Sequence, residues 1–320
     1  MGSEKSAEVV AFASAREADR RVAGVAAAAR AVRTLAESGA SDIRLRVGGG
    51  SALSPATLAD IERLRDSANV RVEADPDARS SAPPLSSWEI IRHTAKPGDG
   101  LVSRWLNRPI SQRLTWLVLA MPAARPIHVT MFNAMLAAIM VVALLAGSQA
   151  GLLLGGILFH SASVLDGVDG EMARATFRTS AAGAALDSAI DMATNLLFIA
   201  AVSAHLAWRD GDAIGWIGGW ALLAGTIGSL LIAWRVRADG APLGFDMFKR
   251  AGPVRGIGDL VYWIVQTLSS RDCFAFLFMV LIILGLERIA LSILSAVTTI
   301  WFLYVLAALA PVPRAFRRAA

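Results

Sequence analysis

The chain is expected to be mainly α: a six-helix transmembrane bundle with an interfacial amphipathic helix, preceded by a small cytoplasmic α/β domain. Three observations lead there. Mean hydropathy is +0.52 and 55% of the 320 residues are hydrophobic, too apolar for an ordinary soluble protein of this length. Charge is unevenly spread: the first ninety or so residues carry much of the Asp and Glu and many of the Arg, and the remainder is apolar blocks with short charged joints. Those early residues also alternate between strand-like and helix-like stretches. We therefore divide the chain into 1–85, a small α/β domain, 86–99, a linker, and 100–320, a membrane domain.

Within the first domain, "EVVAFA", "DIRLRV" and "VRVEA" read as strands. "AREADRRVAGVAAAARAVRTLAESG" reads as a helix that closes on Gly39. "SPATLADIERLRDSA" reads as a second helix, with Ser54 as N-cap and Pro55 in its first turn. Strand–helix–strand–helix–strand implies a parallel α/β unit. Such units often bind nucleotides, but the Gly-rich phosphate loop is missing. "VGGGSA" follows the second strand and lacks both a Lys and the GxGxxG spacing. A structural or dimerising role is favoured. "MGSEKSAEVV" has no signal-peptide apolar core, so this domain is expected in the cytoplasm. The single cysteine, Cys273, has no disulfide partner and no metal-ligand spacing, and reads as a packing residue.

Next comes "DGLVSRWLNRPISQRLTWLVLAM". Val102, Leu106, Ile110, Leu114 and Val118 recur every four residues, with Arg104, Arg108, Arg113, Trp105 and Trp116 among them. That pattern suits a helix lying in the membrane interface, kinked or split at Pro109. A linker packed on the membrane domain is the alternative. Spanning helices need roughly 20 apolar residues. Candidates are about 128–148, 151–172, 184–207, 214–235, 273–286 and 289–310, the fifth extending backward into "TLSSRD". Six spans put both termini on one side. Arg125, Arg174, Arg178, Arg235, Arg237, Lys249, Arg250, Arg255, Arg271, Arg314, Arg317 and Arg318 fall on the side of the N-terminus, against Arg209 and Arg288 opposite. The bias puts both termini in the cytoplasm. The pI of about 10.1 then reflects arginines facing anionic lipid, with no nucleic acid required.

The unusual stretch is "DGVDGEMARATFRTSAAGAALDSAID", which sets Asp166, Asp169, Asp187 and Asp191 between apolar flanks. A charge at a helix centre costs about 2.5–3.5 kcal/mol on insertion scales. Asp187 and Asp191 are four apart and share a helix face; Asp166 and Asp169 are three apart and share another. Two facing helices would converge four carboxylates, whose repulsion demands a positive partner. Oxygen-only ligands suit hard cations such as Mg²⁺, Mn²⁺ or Ca²⁺. A divalent pair in a membrane enzyme points to phosphate chemistry. Gly167, Gly170 and Gly183 allow close backbone approach, and Arg174 can contact phosphate through two bonds. A polar inter-helix cluster or an ion path remains open on these grounds.

Asp166, Asp169, Gly170, Ala173, Arg174, Gly183, Asp187 and Asp191 match D-x2-D-G-x2-A-R-x8-G-x3-D-x3-D at every spacing. In this the chain resembles the CDP-alcohol phosphotransferases over roughly residues 96 to 313. The resemblance implies six membrane helices, a homodimer in the cytoplasmic membrane and a polar cavity open to the cytoplasm. It further implies transfer of a substituted phosphate from a CDP-linked donor, CDP-diacylglycerol or a soluble CDP-alcohol, to an acceptor hydroxyl, with release of CMP. Carried over, Asp166, Asp169 and Asp187 would hold two Mg²⁺ (or Mn²⁺) ions, with Asp191 as general base touching the second ion. Asp166, Gly170, Ala173, Arg174 and Gly183 would line the CDP site. One departure is "RPIHVT": Pro126 and Thr130 match the family, but Ile127 stands where an Asn is usual, with His128 beside it.

The stretches "KPGDGLVSRWLNRPIS" and "RVAGVAAAARAVRTLAESGASDIRLRVGG" are similar to family members fused to a nucleotidyltransferase domain, which handle inositol phosphates. Without the upstream phosphate loop, the first domain here looks like an inactive remnant. A phosphorylated polyol, inositol phosphate or glycerol phosphate, is the expected acceptor. Arg235, Arg237 and Arg271 are the candidates for its phosphate, with topological anchoring as their other reading. A divalent-cation transporter and a catalytically idle scaffold are the rival functions. A transporter needs access from both faces and has no use for Arg174 or the glycines.

Overall fold

In a computed structural model, which describes residues 7–64, 68–82, 85–96, 99–121, 123–238 and 270–309, the three expected strands are β1 (Glu8–Phe12), β4 (Asp42–Val47) and β5 (Asn69–Ala74). They form a parallel sheet in the order β1-β4-β5, with Phe12 opposite Val47 and Val47 opposite Ala74. Alternate β4 residues Ile43, Leu45 and Val47 point into a core with Ala28, Ala29 and Val32 of α2 (Ala27–Glu37) and Ile61 and Leu64 of α3 (Pro55–Leu64). Ser54 caps α3 as expected, its Oγ accepting from the Thr57 N–H at 3.2 Å. Gly39, at φ +99°, takes the left-handed position just past α2.

The helix expected over residues 15–39 is broken. A short α1 (Ala15–Ala18) is followed by an antiparallel hairpin of β2 (Arg21–Val22) and β3 (Val25–Ala26) before α2 begins. Ala23 (φ 45°) and Gly24 (φ 79°) form its turn. Two consecutive positive φ angles belong to a tight hairpin and are incompatible with an α-helix. The turn is held by close packing: a Cβ on Gly24 would lie 2.9 Å from Leu119 and 3.2 Å from Thr176. Helix propensity of the flanking Ala and Arg could not reveal this, because the contacts come from residues far along the chain. The stretch 86–99 also has structure of its own: α4 (Ser87–Arg92) has Ile91 fully buried.

Residues 101–119 are helical, ending in α5 (Arg108–Leu119) and widening to a π turn at Ser103–Asn107. Pro109 has no N–H for the Trp105 carbonyl, so the ladder shifts to wider steps before it, with the Arg108 N–H reaching Ser103 O. Arg108 is not open to lipid: it is closed on Asp99 through two contacts of 2.7 and 2.9 Å.

The apolar blocks form α6 (Pro126–Leu145), α7 (Gln149–Ala175), α8 (Ala181–Ala204), α9 (Ala213–Ala238), α10 (Arg271–Ile283) and α11 (Glu287–Leu309). A π turn at His205–Arg209 prolongs α8. Five of these helices are long and apolar enough to cross a membrane among the described residues. α10 has 13 residues; it extends backward from Cys273 to Arg271, within "TLSSRD", with Ser270 extended at ψ 134° as its N-cap, and residues 267–269 lie outside the described residues. Lys249, Arg250, Arg255, Arg314, Arg317 and Arg318 lie outside the described residues. At the end of the bundle opposite the aspartates, Arg288 is neutralised by Asp212 at 2.6 Å.

By its contacts the chain divides into two compact units. One comprises Met1–Pro97, Ile110–His128 and Val168–Ser180; the other comprises Gly98–Pro109, Val129–Gly167 and Ala181–Ala320. The first therefore takes in α5 and the last turns of α7 as well as the α/β elements. In the second, Met140, Leu144, Leu152, Phe159, Phe198, Phe278, Ile282 and Leu291 form the core. Small residues let its helices approach: a Cβ on Gly218 would clash with Ser203 and Leu291. Outward side chains such as Val142, Leu223 and Ile300 are exposed and apolar, as a lipid-facing surface requires.

Candidate active site

Seven-residue spacing on three helices builds the site. The Phe159 and Phe198 rings stack at 3.8 Å, and Phe278 meets Phe198 edge-on at 5.4 Å. Two turns along from each ring lies a charged residue: Asp166 beyond Phe159, Asp191 before Phe198 and Arg271 before Phe278. Seven residues return a helix to nearly the same face. The aromatic layer thus brings α7, α8 and α10 together, and the same register forms a charged layer about 10 Å away.

In that layer Asp166, Asp187 and Asp191 offer carboxylate oxygens all within 4.8 Å of one another. Arg271 enters from α10. Its Nη1 lies 3.1 Å from Asp166 Oδ1 and also pairs with Asp191 Oδ1. These contacts are ionic without hydrogen-bond geometry: Asp166 Oδ1, Asp191 Oδ1 and all three Arg271 nitrogens are buried and make no directed hydrogen bond. Arg271 thus pairs with two of the three carboxylates.

Asp169 is buried on α7, one turn past Asp166, and is not among the three that converge. Gly170, Ala173 and Arg174 follow it on the same helix, and Gly183 lies in the first turn of α8. Gly170 leaves room for Arg174, whose Nη1 would be 3.1 Å from a Cβ there. Arg174 Nε donates to the Thr94 carbonyl at 2.8 Å. Arg235 is exposed on the last turns of α9. Ile127 is 42% exposed and His128 is exposed, whereas Thr130 is buried.

Sequence reasoning missed two carboxylates. Glu171 is fully buried and accepts from Ser111 Oγ and Thr115 Oγ1, each at 2.7 Å, so it ties α5 to α7. The signal was present only in part: Ser111 and Thr115 are four apart and share a helix face, beside the apolar stripe of Ile110, Leu114 and Val118. Asp272 accepts from the Ser103 N–H at 2.6 Å, and its carboxylate packs against Gly100, where a Cβ would sit 2.9 Å away. Arg271 thus neighbours a residue that anchors the start of the helical segment at residues 101–119.

The profile of the CDP-alcohol phosphatidyltransferase family matches residues 123–316, more than half of the chain. The chain belongs to this family. It is similar to the protein named bifunctional IPC transferase and DIPP synthase of Aquifex aeolicus, 31% identical over 206 residues, which is 63% of this chain and 42% of that protein. Proteins of the same name from Thermococcus kodakarensis (39% over 112 residues, 35% of this chain and 24% of that protein) and Archaeoglobus fulgidus (34% over 106 residues, 33% and 20%) are also similar. The chain thus spans less than half the length of these relatives.

Divalent-metal use is typical of CDP-alcohol phosphatidyltransferases. The residues present fit such an ion. The donors are all carboxylate oxygens, and two of them are buried without a directed hydrogen bond. The guanidinium of Arg271 already occupies the position where positive charge is needed.

Proposed function

We propose that the chain is a multi-pass transferase of the cytoplasmic membrane, with both termini in the cytoplasm, working as a homodimer. It moves a substituted phosphate from a CDP-linked donor, CDP-diacylglycerol or a soluble CDP-alcohol, to a hydroxyl of a phosphorylated polyol such as inositol phosphate or glycerol phosphate. The single observation that carries this is the convergence of Asp166, Asp187 and Asp191 beside Arg271. The spaced family pattern and the names of the relatives support the donor and acceptor classes.

Asp166, Asp169 and Asp187 would hold two Mg²⁺ or Mn²⁺ ions, with Asp191 touching the second. When bound, the ions neutralise the donor pyrophosphate and stabilise the leaving CMP. The acceptor oxygen forms the new P–O bond while the bond to CMP breaks, and CMP leaves with the electron pair. Asp191 takes the hydroxyl proton as that bond forms. Asp166, Gly170, Ala173, Arg174 and Gly183 line the CDP site. α5 and its π-turn extension lie in the interface, where Trp105 and Trp116, exposed on the helical segment, face lipid headgroups.

Arg271 is assigned the acceptor phosphate, with Arg235 as an outer contact. A charge-assisted contact of this kind is worth about 1.5–3 kcal/mol, or roughly 10- to 150-fold. Arg271→Ala is therefore expected to raise the acceptor KM by that factor and to leave the donor KM nearly unchanged. Steady-state CMP release, titrated separately with inositol phosphate, glycerol phosphate and unphosphorylated inositol, checks this. Equal use of the unphosphorylated polyol, or an unchanged acceptor KM, would remove Arg271 from the acceptor site.

A further inference from the structure

The last turn of α7 is closed by side chains of the α/β domain. A helix C-terminus leaves four carbonyls without intrahelical partners. Arg30, 4% exposed on α2, donates from Nη2 to Ala175 O at 2.6 Å. The same guanidinium grips the hairpin, through Nε to Val22 O at 2.8 Å and Nη2 to Ala23 O at 3.0 Å. Arg63 of α3 reaches Thr176 O at 3.1 Å and Phe177 O at 3.3 Å. Asp60 orients this side, pairing with Arg63 at 3.5 Å and with Arg21 at 2.6 Å. Cations at a helix C-terminus also oppose its dipole favourably.

The turn that follows α7 is itself strained. Phe177 has φ +54°, the left-handed position that usually falls to Gly after a helix. Arg178 N–H then closes back on Ala173 O at 2.8 Å. The Phe177 ring is held by Arg30 and Arg33, whose guanidinium carbons lie 5.3 and 5.6 Å from its centroid. Burial pushes the Arg30 guanidinium down to about 10, with Asp60 opposing, so it keeps its charge at neutral pH. Arg30, Arg33 and Arg63 of the α/β domain thus all contact residues 175–177, inside the spaced pattern and directly after Arg174.

We propose that Arg30 is a positioning residue for the CDP site. By closing the last turn of α7 it holds Asp169, Gly170, Ala173 and Arg174, all within six residues upstream of Ala175, in the register that receives the nucleotide. The α/β domain then serves as a clamp on the donor half of the site. This rests on the assignment of those residues to the CDP donor made above.

The test uses the full chain with Arg30→Met, which keeps length and removes the donors, and Arg30→Lys, which keeps one charged donor. Donor and acceptor KM are measured by CMP release per folded molecule, and amide exchange is followed over residues 173–178. Arg30→Met is expected to raise donor KM about tenfold, leave acceptor KM within about twofold and speed exchange in that turn, with Arg30→Lys recovering part of each. A merely structural role lowers folded yield and leaves donor KM unchanged, and that result overturns the inference. If Arg30→Met does not fold, Arg63→Met decides: a donor KM raised about threefold supports the clamp, and an unchanged one overturns it. An unaltered chain that releases no CMP from any CDP donor would defeat the functional assignment and this inference with it. An active chain whose donor KM ignores Arg30 defeats the inference alone.

Discussion

Asp191→Asn is expected to lower turnover by about 10²- to 10⁴-fold while donor binding stays close to normal, because general-base catalysis contributes that much and an amide cannot take a proton at neutral pH. The substitution keeps size and polarity. It removes one of the two carboxylates paired with Arg271, but Asp166 still holds that guanidinium at 3.1 Å, so the local packing has a reason to survive. Binding and turnover must be read separately: calorimetry with donor and metal for the first, CMP release at saturating substrates for the second. Normal turnover with weakened binding would make Asp191 a ligand and place the base elsewhere.

Asp166→Asn is expected to behave in the opposite way. Asp166 lies in the cluster of three and carries a buried oxygen without a directed hydrogen bond. Loss of an outer-shell partner of a metal ligand typically costs 10–100-fold in affinity, so loss of the ligand itself should cost about 100-fold or more. Metal and donor affinity should fall together, since the pyrophosphate is held through the ion. Titrating Mg²⁺ and donor against the variant checks it. Donor binding that weakens while metal binding is untouched would exclude Asp166 as a ligand.

How much of this was legible follows from what each signal depends on. The parallel strands, the Ser54 cap and the Gly39 stop are local, and the sequence carries them in full. The acidic pattern is also local, since helix periodicity alone aligns Asp187 with Asp191. The hairpin at residues 21–26 was hidden because Gly24 is positioned by Leu119 and Thr176, almost a hundred residues or more away. The contacts of Arg30 with Ala175, of Arg63 with Thr176 and Phe177, and those of Glu171 and Asp272 are long-range in the same way. Arg108 looked like a lipid-facing cation in a basic stripe, yet Asp99, nine residues back, takes it up. Asp166, Asp187 and Asp191 are brought within reach of one ion, which needs α7 and α8 packed together and so lies beyond helix periodicity alone. Arg271 was legible as a basic residue at the start of the fifth span and a candidate for the acceptor phosphate; its place among the carboxylates depends on the stacked phenylalanines two turns away.

The most direct measurement is CMP release by the purified full chain from a CDP-linked donor and a phosphorylated polyol, before and after excess chelator. Release should match formation of the new phosphodiester, stop with chelator and return when Mg²⁺ or Mn²⁺ is restored. Undiminished CMP release in excess chelator would contradict a carboxylate-held metal site at Asp166, Asp187 and Asp191, and with it the proposed chemistry.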